Sequence, residues 1–300
     1  METVLALGSS IVRTLRRLLA VTGLGALAAS CSTTGMLNAA SANAAVSVSR
    51  DIAYGGVPRQ QLDVYAPKAR VAGRPVVVFF YGGSWDSGDK ASYAWVGQAL
   101  AGQGYVAVVA DYRLYPEARW PDFLRDSALA TRWAKDHAAA YGGEPSRLVV
   151  MGHSAGAYNA IELAVDRRWL QAVGMDPGRD LRAAVGLSGP YDFLPLTSER
   201  LKTIFGPEPG RPDTQPINHV DGRAPPLLLI TGDRDTTVRP ANSDRLAAKV
   251  RAAGGEVVVI HYSKLDHVRT LGALAGPLRW IAPVMREVSG FVDQRTGFGR

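Results

Sequence analysis

The stretch RLVVMGHSAGAYNAIELA, residues 147–164, changes character in its middle. It opens as a short apolar run, as a buried strand does, and closes with AYNAIELA, which reads as a helix. Between the two stands GHSAG, residues 152–156. Gly-x-Ser-x-Gly by itself is weak, because glycine is common and a glycine-rich turn can simply pack a helix on a sheet. The setting makes it specific. A serine on a sharp strand-to-helix turn needs small neighbours to avoid collision, and such a turn exposes Ser154 Oγ at the strand's C-terminal end, over a helix N-terminus.

Outward from this unit the same alternation repeats. RDIAYG and QQLDVYAP read as an opening antiparallel pair, followed by PVVVFFY, YVAVVAD, AAVGLSG, PLLLITG and EVVVIHY. Most are continuously apolar, as expected of parallel strands covered on both faces. Helical stretches fall between them, at 93–101, 121–140, 155–166 and 241–253. Strands alternating with helices predict an α/β fold with right-handed crossovers. One domain over 47–293 is expected, interrupted by a Pro- and Gly-rich segment at 191–226 that reads as a binding loop or small cap.

A serine hydroxyl needs a base, usually histidine, held by a carboxylate. Of the five histidines, His137 lies in a helix, His153 inside the serine turn, His219 in the long loop and His261 within a strand. His267, in LDHV after the last strand, is the one placed to serve. GDRDTTV, residues 232–238, offers Asp235 as the orienting acid, with Asp233 bracing the loop; Asp192, after the preceding strand, competes for the role. Negative charge building on a carbonyl oxygen calls for fixed N–H donors. Ala155, next to the serine, supplies one, and the glycine-rich YGGSW at 81–85 supplies Gly83 and Ser84. Trp85, Tyr158, Tyr191, Phe193 and Phe205 are candidate pocket walls, though ordinary core packing explains each equally well.

Taken in order, YGGSW, DYRLYPE (111–117), GHSAGA, GDRDTTV and DHV resemble the motif series of the α/β-hydrolase esterases. The likeness is to the hormone-sensitive-lipase-like and feruloyl-esterase-like (BD-FAE-type, also formamidase-like) branches, over roughly residues 51–291. It implies the α/β-hydrolase fold, a mostly parallel sheet with helices on both faces, and Ser154, Asp235 and His267 as nucleophile, acid and base. Tyr81 departs from the family, which has histidine there; its hydroxyl either braces the loop or points into the pocket. Asp111 and Arg113 are expected to form an ion pair supporting these loops.

The remaining composition narrows the class. A net charge of +7 comes from scattered arginines without a basic run or aromatic ladder, which argues against a nucleic-acid partner. No paired cysteines, HExxH spacing or phosphate-cradling loop suggests a metal or cofactor. Residues 1–31 read as a signal peptide: Arg13, Arg16 and Arg17 precede an apolar stretch at 18–29 too short to span a membrane. It ends in LAASC, which resembles a lipobox, so Cys31 is the candidate lipid-attachment residue; a plain secretory leader cut after 42–44 is the alternative. Residues 32–46 read as a flexible tether. The expectation is an exported serine carboxylesterase in the periplasm or cell envelope, lipid-anchored to a membrane and acting on small short-chain or aryl esters. An amidase, arylformamidase or peptidase could use the same triad. A non-catalytic surface binding protein is the rival of another class.

Overall fold

The computed structural model describes residues 33–69 and 71–299, so the leader at 1–31 and Cys31 lie outside the described residues. The apolar runs form β1 (Val46–Ala53), β2 (Gln61–Pro67), β3 (Arg74–Phe80), β4 (Val106–Ala110), β5 (Gly143–His153), β6 (Ala183–Leu187), β7 (Leu227–Gly232) and β8 (Val257–Tyr262). They join in one eight-stranded sheet, in the order β1-β2-β4-β3-β5-β6-β7-β8. β1 with β2 and β2 with β4 are antiparallel; every later pairing is parallel. This is the α/β-hydrolase architecture.

Burial follows from the composition of each strand. Every residue of β3, β4, β6 and β7 is buried, so both faces of the central sheet are covered. The edge strands β1 and β8 leave several positions half-buried or open to water. The helices Ala94–Ala101, Asp122–His137, Ala155–Val165 and Ala241–Ala252 occupy the crossovers read from the sequence. Val284–Thr296 closes the described chain against the core through Val284, Val288 and Val292.

The sheet order decides where a site can form. β3 has β4 on one side and β5 on the other, so the crossovers leave in opposite directions and open a crevice at the strands' C-terminal ends. Phe80 at the end of β3 pairs with Gly152 on β5. The loop after β3 therefore lies beside the serine turn.

One expectation about the segments around the domain changes. Residues 33–40, read as part of a tether, form a helix (Thr33–Ala40) fixed to the domain. The helix Ala94–Ala101 has no side-chain cap of its own; Asn38 Oδ1 accepts from the Trp95 N–H at 2.9 Å, and Asn38 Nδ2 donates to Ala91 O at 2.8 Å. One asparagine thus satisfies a first-turn donor across 57 residues of chain, a role its small, polar surroundings do not advertise. The segment 191–226 is likewise ordered around a helix, Glu199–Phe205, and two 3-10 turns, Glu208–Thr214 and Pro216–His219. Asn242 Oδ1 holds its start by accepting from the Tyr191 and Asp192 N–H groups, each at 2.9 Å.

Candidate active site

Ser154 sits at φ 54°, ψ −122°, a conformation costly for a side-chain-bearing residue, directly before the helix Ala155–Val165. The flanking glycines explain why the turn closes so tightly. A Cβ on Gly152 would lie 2.0 Å from Gly156 O, and one on Gly156 would lie 2.0 Å from Phe80 O. No other residue fits at either place. The strand, the turn and the neighbouring β3 are pressed together, and Ser154 Oγ is left at the crevice.

β7 and β8 deliver the other two groups. His267 Nε2 stands 2.9 Å from Ser154 Oγ, and His267 Nδ1 stands 2.7 Å from Asp235 Oδ2. His267 is the first residue of a short helix, His267–Gly272, capped by Asp266, whose side chain accepts from the Arg269 N–H at 2.8 Å. Asp235 is buried, and its second oxygen, Oδ1, accepts from the N–H groups of Thr237 (3.0 Å) and Val238 (2.8 Å). Burial works against its charge, but the bonds from His267 and the Val238 N–H hold its carboxyl below the usual carboxylate range. An ionised carboxylate can only accept, so the proton lies on Nδ1 and Nε2 is left to accept from Ser154. Asp192, the competing acid, pairs instead with Arg245 at 2.5 Å. Asp233 Oδ1 lies 2.7 Å from His261 Nδ1.

The YGGSW loop runs through Gly83 (φ 134°), Ser84 (φ 50°) and Trp85 (φ 60°), three positive values in a row. Gly83 O accepts from Asp86 N and Ser87 N, each at 3.0 Å, which folds the loop back on itself. Ser84 and Trp85 line one cavity with Ser154 and Ala155, and the N–H of Ala155 belongs to the helix's first turn, where no helical carbonyl meets it. Tyr81 braces this loop from behind. Its hydroxyl donates to Asp111 Oδ1 at 2.7 Å and accepts from Arg59 Nη2 at 2.9 Å, while its ring stacks between Tyr93 and Tyr112. Burial pushes its phenol well up, so it keeps the proton it donates. The hydroxyl does not reach the pocket.

The expected ion pair between Asp111 and Arg113 is absent among the described residues. Arg113 turns to the helix Asp122–His137, where it gives Asp126 Nε–H and Nη2–H bonds of 2.8 and 2.9 Å. Asp126 is fully buried and needs that charge, whereas Asp111 is served by Tyr81, the Lys90 N–H and, at 3.9 Å, Arg59. Three of the candidate walls also change place. Tyr158 and Tyr191 are fully buried and do not line the cavity. Tyr158 donates its hydroxyl to Thr214 O at 2.7 Å and meets Trp85 edge-on, supporting the wall from behind; Tyr191 packs against Gly186 and Gly189. Phe205 is also in the core, touching Trp85 at right angles.

The cavity measures about 550 Å³. Its apolar side comes from Trp85, Phe193, Leu194, Leu196 and Leu201, and its polar side includes Thr237, Arg239 and Asn242. Trp85 is anchored by its Nε1–H, which donates to Asn159 Oδ1 at 3.0 Å. The three leucines all sit in the 191–226 segment, single residues without a motif, and nothing in the sequence marks them. His153 is a further residue the motif reading left without a part. Its Nε2 donates to His267 O at 3.0 Å, and burial, with the nearby His267 ring second, pushes its imidazole down to about 3.

A family model described as BD-FAE matches residues 62–250. The chain is 31% identical, over 73% of its length and 51% of the relative's, to a probable isoprenylcysteine alpha-carbonyl methylesterase of Arabidopsis thaliana. It is 32% identical to esterase LipC of Mycobacterium tuberculosis, over 68% of this chain and 55% of that one. The chain thus spans about half the length of the curated relatives it matches. Among solved structures, Thermogutta terrifontis esterase 2 phosphonylated by sarin is similar, with a TM-score of 0.68 and 25% identity over 84% of this chain and 95% of that one.

Proposed function

We propose that this chain, which belongs to the BD-FAE family, is a serine hydrolase that cleaves carboxylic esters through an acyl-enzyme. One observation carries the reading: Ser154, which lines the cavity, His267 and Asp235 join in a continuous hydrogen-bonded relay. Ser154 Oγ attacks the ester carbonyl as its proton passes to His267 Nε2, and Asp235 stabilises the imidazolium that results. The carbonyl oxygen, now negative, is received by the N–H groups of Gly83, Ser84 and Ala155. Collapse breaks the ester C–O bond, and the alkoxide leaves with the proton from His267. Water then attacks the acyl-enzyme, His267 taking one of its protons and returning it to Ser154 as the acid departs.

A cavity of this size, apolar on one side, suits a short acyl chain or an aryl ester. The similarity to an esterase that sarin phosphonylates supports a reactive serine. Hydrolysis of p-nitrophenyl esters, acetate through decanoate, tests the reading, with Ser154→Ala beside the wild type. Turnover of the short esters that vanishes in the variant is expected. A folded chain that turns over none of them and takes no label from a fluorophosphonate at Ser154 is not an esterase. Labelling without ester turnover moves amide substrates forward.

We also propose that the chain is exported and carries lipid on Cys31, a reading supported by the leader pattern at 13–31. Cells fed radiolabelled palmitate should label the wild type and leave Cys31→Ser unlabelled. An unlabelled wild type in the soluble fraction overturns the anchor.

A further inference from the structure

The far end of the helix that begins after Ser154 carries a second cluster, unconnected with the relay. Glu162 and Asp166 lie four residues apart at its last turn, and His219 comes over them from the 3-10 turn Pro216–His219. One ligand atom from each of the three lies within 4.8 Å of the others. That span is what ligands at about 2.0–2.4 Å from a shared ion can reach.

The cluster lacks positive charge. Three carboxylates, Glu162, Asp166 and Asp213, meet one guanidinium, Arg168. Arg168 is committed elsewhere: it bonds both oxygens of Asp213 at 2.9 Å each and also Asp166 Oδ2. Glu162 is fully buried, yet among the described residues its Oε1 meets Trp169 Nε1 at 3.4 Å and His219 Nε2 at 3.9 Å, and its Oε2 has no partner. A buried carboxylate in that condition has to be neutralised by a proton or a cation. Burial, then the neighbouring Asp166, pushes the Glu162 carboxyl well up, which is the same deficit expressed as proton affinity.

The histidine points to the cation. His219 Nε2 lies 2.8 Å from Asp213 O, which needs a donor, 3.2 Å from Arg168 Nη2, which is one, and 3.9 Å from Glu162 Oε1. The shorter contact puts the proton on Nε2, and in that tautomer Nδ1 is a bare lone pair. It faces Asp166 Oδ2 at 3.7 Å, too far for a hydrogen bond and close to the separation of two ligands on one metal. Asp166 Oδ2 keeps a further lone pair beside its bond to Arg168.

We propose that Glu162, Asp166 and His219 form a binding site for one divalent cation of the Zn²⁺ or Mn²⁺ class. Imidazole with two carboxylates is the donor set such ions take. Bound there, the ion ties the 191–226 segment, which supplies much of the cavity wall, to the helix that begins behind Ser154. The site stands whether or not the chain is an esterase, since nothing in its geometry involves the relay.

The test is metal binding by the full chain, stripped with EDTA and dialysed separately against Zn²⁺ and Mn²⁺. Elemental analysis should find about one ion per chain, with Tm raised by about 5 °C at a metal concentration a hundredfold above Kd. His219→Gln and Glu162→Gln should each weaken binding by about 100-fold or more. Glu162→Leu, which removes the buried charge, serves as a second variant should Glu162→Gln not fold. A wild type that holds no ion overturns the site and leaves the cluster neutralised by protons. An ion retained in the variants, or lost on Cys31→Ser instead, overturns it equally.

Discussion

Asp235→Asn exchanges one carboxylate oxygen for an NH₂, and the structure says which way the new amide must face. Oδ1 of Asp235 accepts from the N–H groups of Thr237 and Val238 at 3.0 and 2.8 Å. An asparagine placed there keeps its carbonyl oxygen at that position, because the reversed amide would set its NH₂ against both donors at a cost of about 2–6 kcal/mol. Its NH₂ is therefore turned to His267 Nδ1, 2.7 Å away in the wild type. Nδ1 must then accept, the ring proton moves to Nε2, and Nε2 can no longer take the proton of Ser154. A wrong tautomer in a relay of this kind costs about 10⁴ in kcat, or about 5.4 kcal/mol of transition-state stabilisation at 1.36 kcal/mol per tenfold. The assay is kcat for p-nitrophenyl acetate at neutral pH, with circular dichroism to show that the variant is folded. Asp192→Asn is the partner experiment. It removes the competing acid, which is paired with Arg245, and kcat should stay within about tenfold of wild type. If Asp235→Asn keeps a tenth or more of the wild-type kcat while Asp192→Asn loses a thousandfold, the acid has been misassigned.

Tyr81→Phe removes a buried hydroxyl that both gives and receives a bond, but Asp111 keeps the Lys90 N–H and Arg59 keeps Tyr112 O. Urea unfolding should show a loss of about 1–3 kcal/mol with kcat within about tenfold; a thousandfold loss of kcat at unchanged stability would place the hydroxyl in the reaction. His153 is held in the fold at about 3, below its ordinary 6.5, so the unfolded chain binds the additional proton. Its contribution is complete above pH 6.5 and is lost as pH falls from 6.5 towards 3, by up to about 1.4 kcal/mol per unit. His153→Gln should flatten the stability profile between pH 6.5 and 4.5 by about one proton, and parallel profiles would contradict this. Phe193→Ala opens the apolar side of the cavity, and the preferred p-nitrophenyl ester should lengthen by about two carbons or more. An unchanged chain-length profile would mean that the acyl group lies elsewhere.

What was legible in the sequence is what local rules control. Val- and Leu-rich runs have to be buried, so six of them announced the strands that follow the opening antiparallel pair; their alternation with helical stretches announced a parallel sheet. Gly152 and Gly156 announced a turn that only glycine can close, and position after the last strand singled out His267. The resemblance added the order of the motifs. The rest depended on partners far along the chain. Asp235 and Asp192 each follow a strand and look alike on paper; which one meets His267 is set by where β7 and β8 end relative to β5. Arg113 stands two residues from Asp111 yet bonds Asp126, because the buried carboxylate has the greater need of charge. Tyr81 could have faced either way until Arg59, Asp111 and two flanking rings fixed it. Tyr158 and Tyr191 carry the composition of pocket walls and lie in the core, while leucines without any motif line the cavity. Periodicity and turn chemistry are properties of a few neighbouring residues, and a sequence states them directly. The choice of a polar side chain's partner is settled only when the packed chain has decided which charges and donors are shut away from water together.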